Sequence, residues 1–208
     1  MLIERPPLLY RLFFRGAVWR MPKDQKCVYL TFDDGPIPEV TPWVLDLLDK
    51  YNVKATFFCV GENVHNYPDI YNDILARGHK TGNHTYNHIQ GLKTLTHNYV
   101  ANIQKATQYI DSKLFRPPHG HIRIPQFWIL KRRFRIVMWD LVTRDYSKKL
   151  NGEDVFQIVK KYTRNGSIIV FHDSLKSKRN MQEALPKTIE WLKSEGYELN
   201  VIPSNKTE

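Results

Sequence analysis

His84 and His88 stand four residues apart in NHTYNH, and Asp33 and Asp34 stand side by side in FDDGP. On one face of a helical turn, imidazole nitrogens at this spacing reach a single cation at about 2.0 to 2.1 Å. A hydrolytic metal needs a third protein ligand and an open position, and either aspartate can supply that ligand. Neighbouring side chains point apart where a strand ends, which leaves one aspartate for the metal and the other for water as a general base. A plain Asp-Gly turn accounts for Asp34 and Gly35 but gives no reason for the second carboxylate.

Further candidates lie at other junctions. His172, in IIVFHDS, leaves an apolar run as an imidazole that titrates near neutral pH, a natural proton donor to a leaving group. Arg116 precedes two prolines, and its guanidinium beside Asp33 would hold that carboxylate ionised and oriented. Asp145 could bond His172 and raise its basicity. Ser174 brings a Ser-His-Asp hydrolase to mind, but the sequence has no GxSxG elbow and Ser174 lies two residues from His172.

What must position these residues is legible in the period of the chain. Its 208 residues suffice for one core. Short β-branched or aromatic runs alternate with helical ones. Strands are expected at Cys27 to Phe32, from Ala55, just before Gly82, at Lys113 to Arg116, Arg135 to Trp139, Ser167 to Phe171 and Tyr197 to Ile202. Between them the pattern predicts helices capped by Thr41, starting near Pro68, at Thr96 and at Glu153, and ending near Gly196. Strict alternation implies a single α/β domain with a parallel sheet, closed or nearly closed as a barrel, an open doubly wound sheet being the alternative. The clusters Asp33 and Asp34, His84 and His88, Arg116, Asp140 and Asp145, and His172 with Asp173 each follow a strand. In a parallel fold such positions converge on the carboxyl ends of the strands.

The charge balance narrows the partners. Lys and Arg number 31 against 21 Asp and Glu, a net charge of +10. Between Ser112 and Lys149 there are ten basic residues against two aspartates, so most of the excess flanks two of the candidate clusters. That local bias points to an anionic glycan or envelope surface, and no nucleic-acid motif accompanies it. Cys27 and Cys59 lie in apolar runs and are expected as buried free thiols. Arg11, Arg15 and Arg20 interrupt the apolar N-terminal stretch, which predicts neither a secretory signal nor a membrane span, and hence a cytoplasmic or membrane-peripheral protein.

Taken in order, five motifs resemble the polysaccharide deacetylase family, carbohydrate esterase family 4. They are TFDDG (Thr31 to Gly35), HTYNH (His84 to His88), RPPHG (Arg116 to Gly120), DLVTRDY (Asp140 to Tyr146) and VFH (Val170 to His172). The resemblance runs from Cys27 to about Ile202 and implies a distorted (β/α) barrel of about seven parallel strands. It implies a divalent metal, usually zinc, and removal of N-acetyl groups from amino sugars of a glycan such as peptidoglycan or a chitin-like oligosaccharide. By that resemblance Asp33 is the general base, Asp34, His84 and His88 are metal ligands, Arg116 orients Asp33, and Asp145 pairs with the general acid His172. The backbone N–H of His119 would hold the oxyanion.

Three residues depart from the family pattern. His119 stands where an aromatic is usual, Tyr146 where Trp is usual, and Val170 where Leu commonly lines the acetyl pocket. His119, or His121, could alter a groove wall or add a ligand near the metal. Two other activities compete with the leading one: hydrolysis of a small non-sugar amide or imide, and a non-enzymatic basic binding module. Residues 1–26 form a basic amphipathic segment ahead of a deacetylase-like catalytic domain over 27–208. That segment is expected to pack over the barrel or to lie peripherally on an anionic membrane.

Overall fold

The computed structural model describes residues 4–204. Parallel strands run in the order β5-β4-β3-β2-β1-β7-β6, with a short β8 (Glu198–Leu199) joining the start of β1. The strands are β1 (Cys27–Asp33), β2 (Thr56–Cys59), β3 (Lys80–Asn83), β4 (Leu114–Phe115), β5 (Arg135–Ile136), β6 (Leu141–Val142) and β7 (Ile168–His172). The sheet curls into the expected distorted (β/α) barrel.

Alternation along the strands sorts the core into layers. Val28, Leu30 and Phe32 of β1, Phe57 and Cys59 of β2, and Ile169 and Phe171 of β7 pack outward in one cluster. Helices α2 (Thr41–Lys50), α4 (Pro68–Ala76), α7 (Gly152–Tyr162) and α8 (Lys178–Ser194) cover them with Val44, Leu48, Ile74, Val159 and Leu185. The intervening residues face the barrel interior, where Cys27, Tyr29, Phe58, Leu114, Val137 and Ile168 form its closed end. Register then does the positioning: Tyr29 pairs with Ile168, Thr31 with Val170 and Asp33 with His172. Asp33 and His172 therefore sit side by side on the inward face, with the Thr31 and Val170 layer between them and the apolar plug.

Some expectations require correction. The strand expected over Arg135 to Trp139 is shorter: Arg135 and Ile136 pair with β4, and after a break Leu141 and Val142, beyond the expected strand, pair with β7. Changing partners midway lets one segment join the two ends of the sheet. The break also moves Asp140 away from the site, where it accepts from Arg164 Nε at 2.9 Å, Ser167 Oγ at 2.9 Å and Arg11 at 3.1 Å, residues at the opposite end of β7 or in the N-terminal segment. Thr41 is the first helical residue of α2 and not its cap. Its hydroxyl accepts from the Ile37 N–H and donates to Asp173. Two helices carry no clear period and went unpredicted, α3 (Gly61–Asn66) and α6 (Ile124–Leu130).

The N-terminal residues fill the seam between β5 and β6. Val18 donates to the Ile136 carbonyl and accepts from the Met138 N–H, each at 2.8 Å, while the Glu4 carbonyl accepts from Val142. Phe14, Trp19 and Met21 are buried against the barrel. Cys27 and Cys59 are buried free thiols, as expected.

Candidate active site

At the carboxyl end of the barrel a cavity of about 790 Å³ is lined by Asp33, Asp34, His84, His88, His119, Tyr146, Val170 and His172. The backbone around it departs from ordinary geometry. Asp34, Thr85, His88, His119 and Arg144 all have positive φ, between 57° and 86°. Such conformations in non-glycine residues cost energy and persist where the surroundings fix them, typically at functional sites.

Positive φ corrects two sequence expectations. Had β1 continued, Asp33 and Asp34 would face opposite sides; with φ of 86°, Asp34 turns back, so both carboxylates line the one cavity. His84 and His88 lie on a loop after β3 instead of a helical face, and positive φ at Thr85 and His88 folds that loop until the imidazoles converge. His88 Nε2 lies 3.1 Å and His84 Nε2 3.8 Å from Asp34 Oδ1, and the three ligand atoms lie within 4.8 Å of one another.

The surroundings leave this trio able to hold a metal ion. The Arg116 carbonyl, which can only accept, lies 2.8 Å from His84 Nδ1, so the proton sits on Nδ1 and Nε2 keeps its lone pair towards Asp34. Burial, opposed by Asp33, pushes His84 down to about 4 and keeps it neutral. Burial raises Asp34, but the hydrogen bond from His88 and the fields of His172 and His84 hold its carboxyl well below the usual range. Two imidazole nitrogens and a carboxylate suit a divalent, borderline-soft cation such as zinc.

Asp33 is set apart from the trio by Arg116. That guanidinium is buried: Nη1 donates to Asp33 Oδ1 at 2.6 Å and to Thr31 Oγ1 at 2.8 Å, Nη2 donates to the Met138 carbonyl at 3.0 Å, and the group lies 4.0 Å from the Phe58 ring centre. Across the site, Asp145 receives both His172 Nδ1–H and the His172 backbone N–H, at 2.8 and 2.7 Å. Burial alone would lower His172, but Asp145, with Asp34 and Asp33, lifts it to about 9. Tyr146 stands edge-on to His172 at 5.0 Å. Trp139, Val142 and Val170 complete an apolar wall.

Several contributors had no role assigned in the sequence reading. The Asp173 carboxylate, fully enclosed, accepts from the Gly35 N–H at 3.0 Å and the Thr41 hydroxyl at 2.6 Å, and its own N–H donates to the Asp33 carbonyl. It thereby fixes the turn that presents Asp34. Asn63 donates to the Asp34 carbonyl at 2.8 Å, and Asn180 donates to the carbonyls of Asp145, Ser147 and Leu150. Only the position of Asp173 directly after His172 offered a signal; Asn63 and Asn180 lie far from the motifs.

Gly35 shows how tightly the turn is held. A Cβ there would lie 1.9 Å from Asp173 Oδ2. Gly35→Ala is expected to displace Asp34 and weaken zinc affinity at least tenfold, in keeping with disturbed support of ligands. Isothermal titration with zinc measures it, and unchanged affinity would show that the turn tolerates the shift.

A parallel barrel whose strand ends gather a two-histidine, one-carboxylate trio beside a separate Asp and His defines a hydrolase-type site. Comparison with known proteins gives the particular family: the polysaccharide deacetylase model matches residues 20–131, and the chain belongs to that family. It is 33% identical over 189 residues to a peptidoglycan-N-acetylglucosamine deacetylase of Bacillus cereus, covering 87% of this chain and 88% of that protein. A Listeria monocytogenes peptidoglycan-N-acetylglucosamine deacetylase is 36% identical over 187 residues, 86% of this chain and 39% of the relative. Among solved structures, the Bc1960 peptidoglycan N-acetylglucosamine deacetylase superposes with a TM-score of 0.84 at 32% identity, over 96% of both chains.

Proposed function

We propose that this deacetylase removes N-acetyl groups from N-acetylglucosamine-type residues of a glycan, in a metal-dependent hydrolysis. The observation that carries the reading is the convergence of Asp34, His84 and His88 on one point with Asp33 and His172 paired in register beside them. Asp34, His84 and His88 would hold the cation, most readily zinc. When bound there, a divalent cation supplies Lewis acidity towards the acetamide carbonyl and raises the acidity of water.

The side chains do the rest. Asp33, oriented by Arg116, takes a proton from the attacking water as its oxygen forms the bond to the carbonyl carbon. The backbone N–H of His119 donates a hydrogen bond to the carbonyl oxygen as negative charge develops on it. His172, kept protonated by Asp145, gives its proton to the sugar nitrogen as the carbon–nitrogen bond breaks, leaving acetate and an amino sugar. Trp139, Val142, Tyr146 and Val170 offer apolar surface for the acetyl methyl group.

Named relatives that act on peptidoglycan N-acetylglucosamine support this substrate class over a small non-sugar amide or imide. The test is acetate release from N-acetylglucosamine oligomers and from peptidoglycan, run beside hydrolysis of a cyclic imide. Turnover of the glycans is expected; turnover of the imide alone would overturn the substrate assignment.

His172 sets the pH dependence. An acid raised to about 9 donates while it is protonated, so kcat/KM should hold up to about pH 9 and fall above it. Asp145→Asn removes the carboxylate that lifts the imidazole and should move the falling limb down by at least about one unit. A pH profile of wild type and variant checks both, and an unmoved limb would assign the acid elsewhere.

A further inference from the structure

The N-terminal segment does more than close the barrel seam. Helix α1 (Leu8–Phe13) is pinned from below: Phe14 meets the Tyr10 ring at 5.1 Å and the Phe127 ring of α6 at 5.3 Å. The Tyr10 hydroxyl donates to the Gly120 carbonyl at 2.5 Å. Its outer side is bare, with Leu8, Leu9, Leu12 and Phe13 exposed by 74%, 66%, 46% and 59%. Trp128, which follows the Phe127 that Phe14 meets, is 53% exposed. Lys131 links Trp128 to the chain just after α1, its Nζ lying 4.2 Å from the Trp128 ring centre and 3.3 Å from where a Cβ on Gly16 would be. Folded proteins seldom leave such an apolar group together on the surface without use.

The charge around this face says what covers it. No Asp or Glu occurs between Arg5 and Lys23, or between Ser112 and Trp139. Among the described residues, no carboxylate pairs with Arg15, Arg123, Lys131, Arg132 or Arg133. A second copy docked by twofold symmetry would bring like charges together. Nucleic acid would use the basic groups but leave four aliphatic or aromatic side chains of α1 in water. An anionic bilayer matches both: leucines and aromatics enter the headgroup boundary while Lys and Arg meet lipid phosphates.

We infer that α1 and Trp128 form a docking face for an anionic membrane surface. Gly120, which accepts the Tyr10 bond, also lines the cavity, so the docked protein works with its site beside the bilayer. Flotation of the full chain with vesicles of phosphatidylcholine, alone or mixed with phosphatidylglycerol, tests this. Wild type should float at least tenfold more with the anionic vesicles, and high salt should release it. Leu9→Asp combined with Phe13→Asp, both at exposed positions, should reduce flotation at least tenfold. The same variant should keep the wild-type melting temperature and acetate release from a soluble oligomer. Equal flotation of wild type and variant, no flotation of either, or a wild-type dimer that the variant breaks without any vesicle binding would each overturn the inference.

Discussion

Asp33→Asn is expected to lower kcat for acetate release by about 10³-fold while zinc binds with unchanged stoichiometry. The amide keeps the shape of the carboxylate and a carbonyl oxygen for Arg116, but it cannot accept the proton of the attacking water. Geometry separates this loss from loss of metal: Asp33 Oδ1 is engaged by Arg116 at 2.6 Å, whereas the proposed ligand trio is built on Asp34. Oligomer turnover together with metal analysis of the purified variant checks the prediction. Robust activity in Asp33→Asn would remove the proposed base.

Arg116→Met is expected to cost about 3 to 5 kcal/mol of stability, besides nearly all activity. Arg116 is 1% exposed and joins Asp33, Thr31 and the carbonyls of Val137 and Met138. A methionine fills much of the volume but leaves the buried Asp33 carboxylate uncompensated and two carbonyls without that donor. For a chain of this size the melting temperature should drop by on the order of 10 °C. A companion Arg116→Met/Asp33→Asn protein should regain part of that stability, since the uncompensated charge is gone, yet remain inactive. Thermal melts of the two proteins measure the difference, and equal melting temperatures would show that the buried charge is not what the arginine offsets.

Much of this site was legible because its residues are unusual where they stand. Carboxylates and imidazoles at the ends of apolar strands require a reason, and five such places in order gave one. Spacing predicted that His84 and His88 would meet but supplied the wrong local path, since a four-residue interval fits both a helical turn and a loop with positive φ. Periodicity carried the strand from Arg135 on to Trp139, whereas pairing with β4 ends at Ile136 and β7 becomes the partner only from Leu141, so Asp140 was read as a strand-end residue of the site. The helix Ile124–Leu130 escaped notice as a nearly unbroken apolar run without a 3.6-residue period. Asn63, Asn180 and Asp173 act through bonds to distant backbone, which no local pattern encodes.

The most direct test of the central claim is a zinc titration of protein stripped by a chelator, followed as acetate release from an N-acetylglucosamine oligomer. Activity should be absent after stripping and return in proportion to zinc up to one ion per chain, with His84→Ala failing to recover under the same conditions. Full acetate release by the stripped protein, or recovery by His84→Ala equal to wild type, would contradict metal-dependent deacetylation at Asp34, His84 and His88.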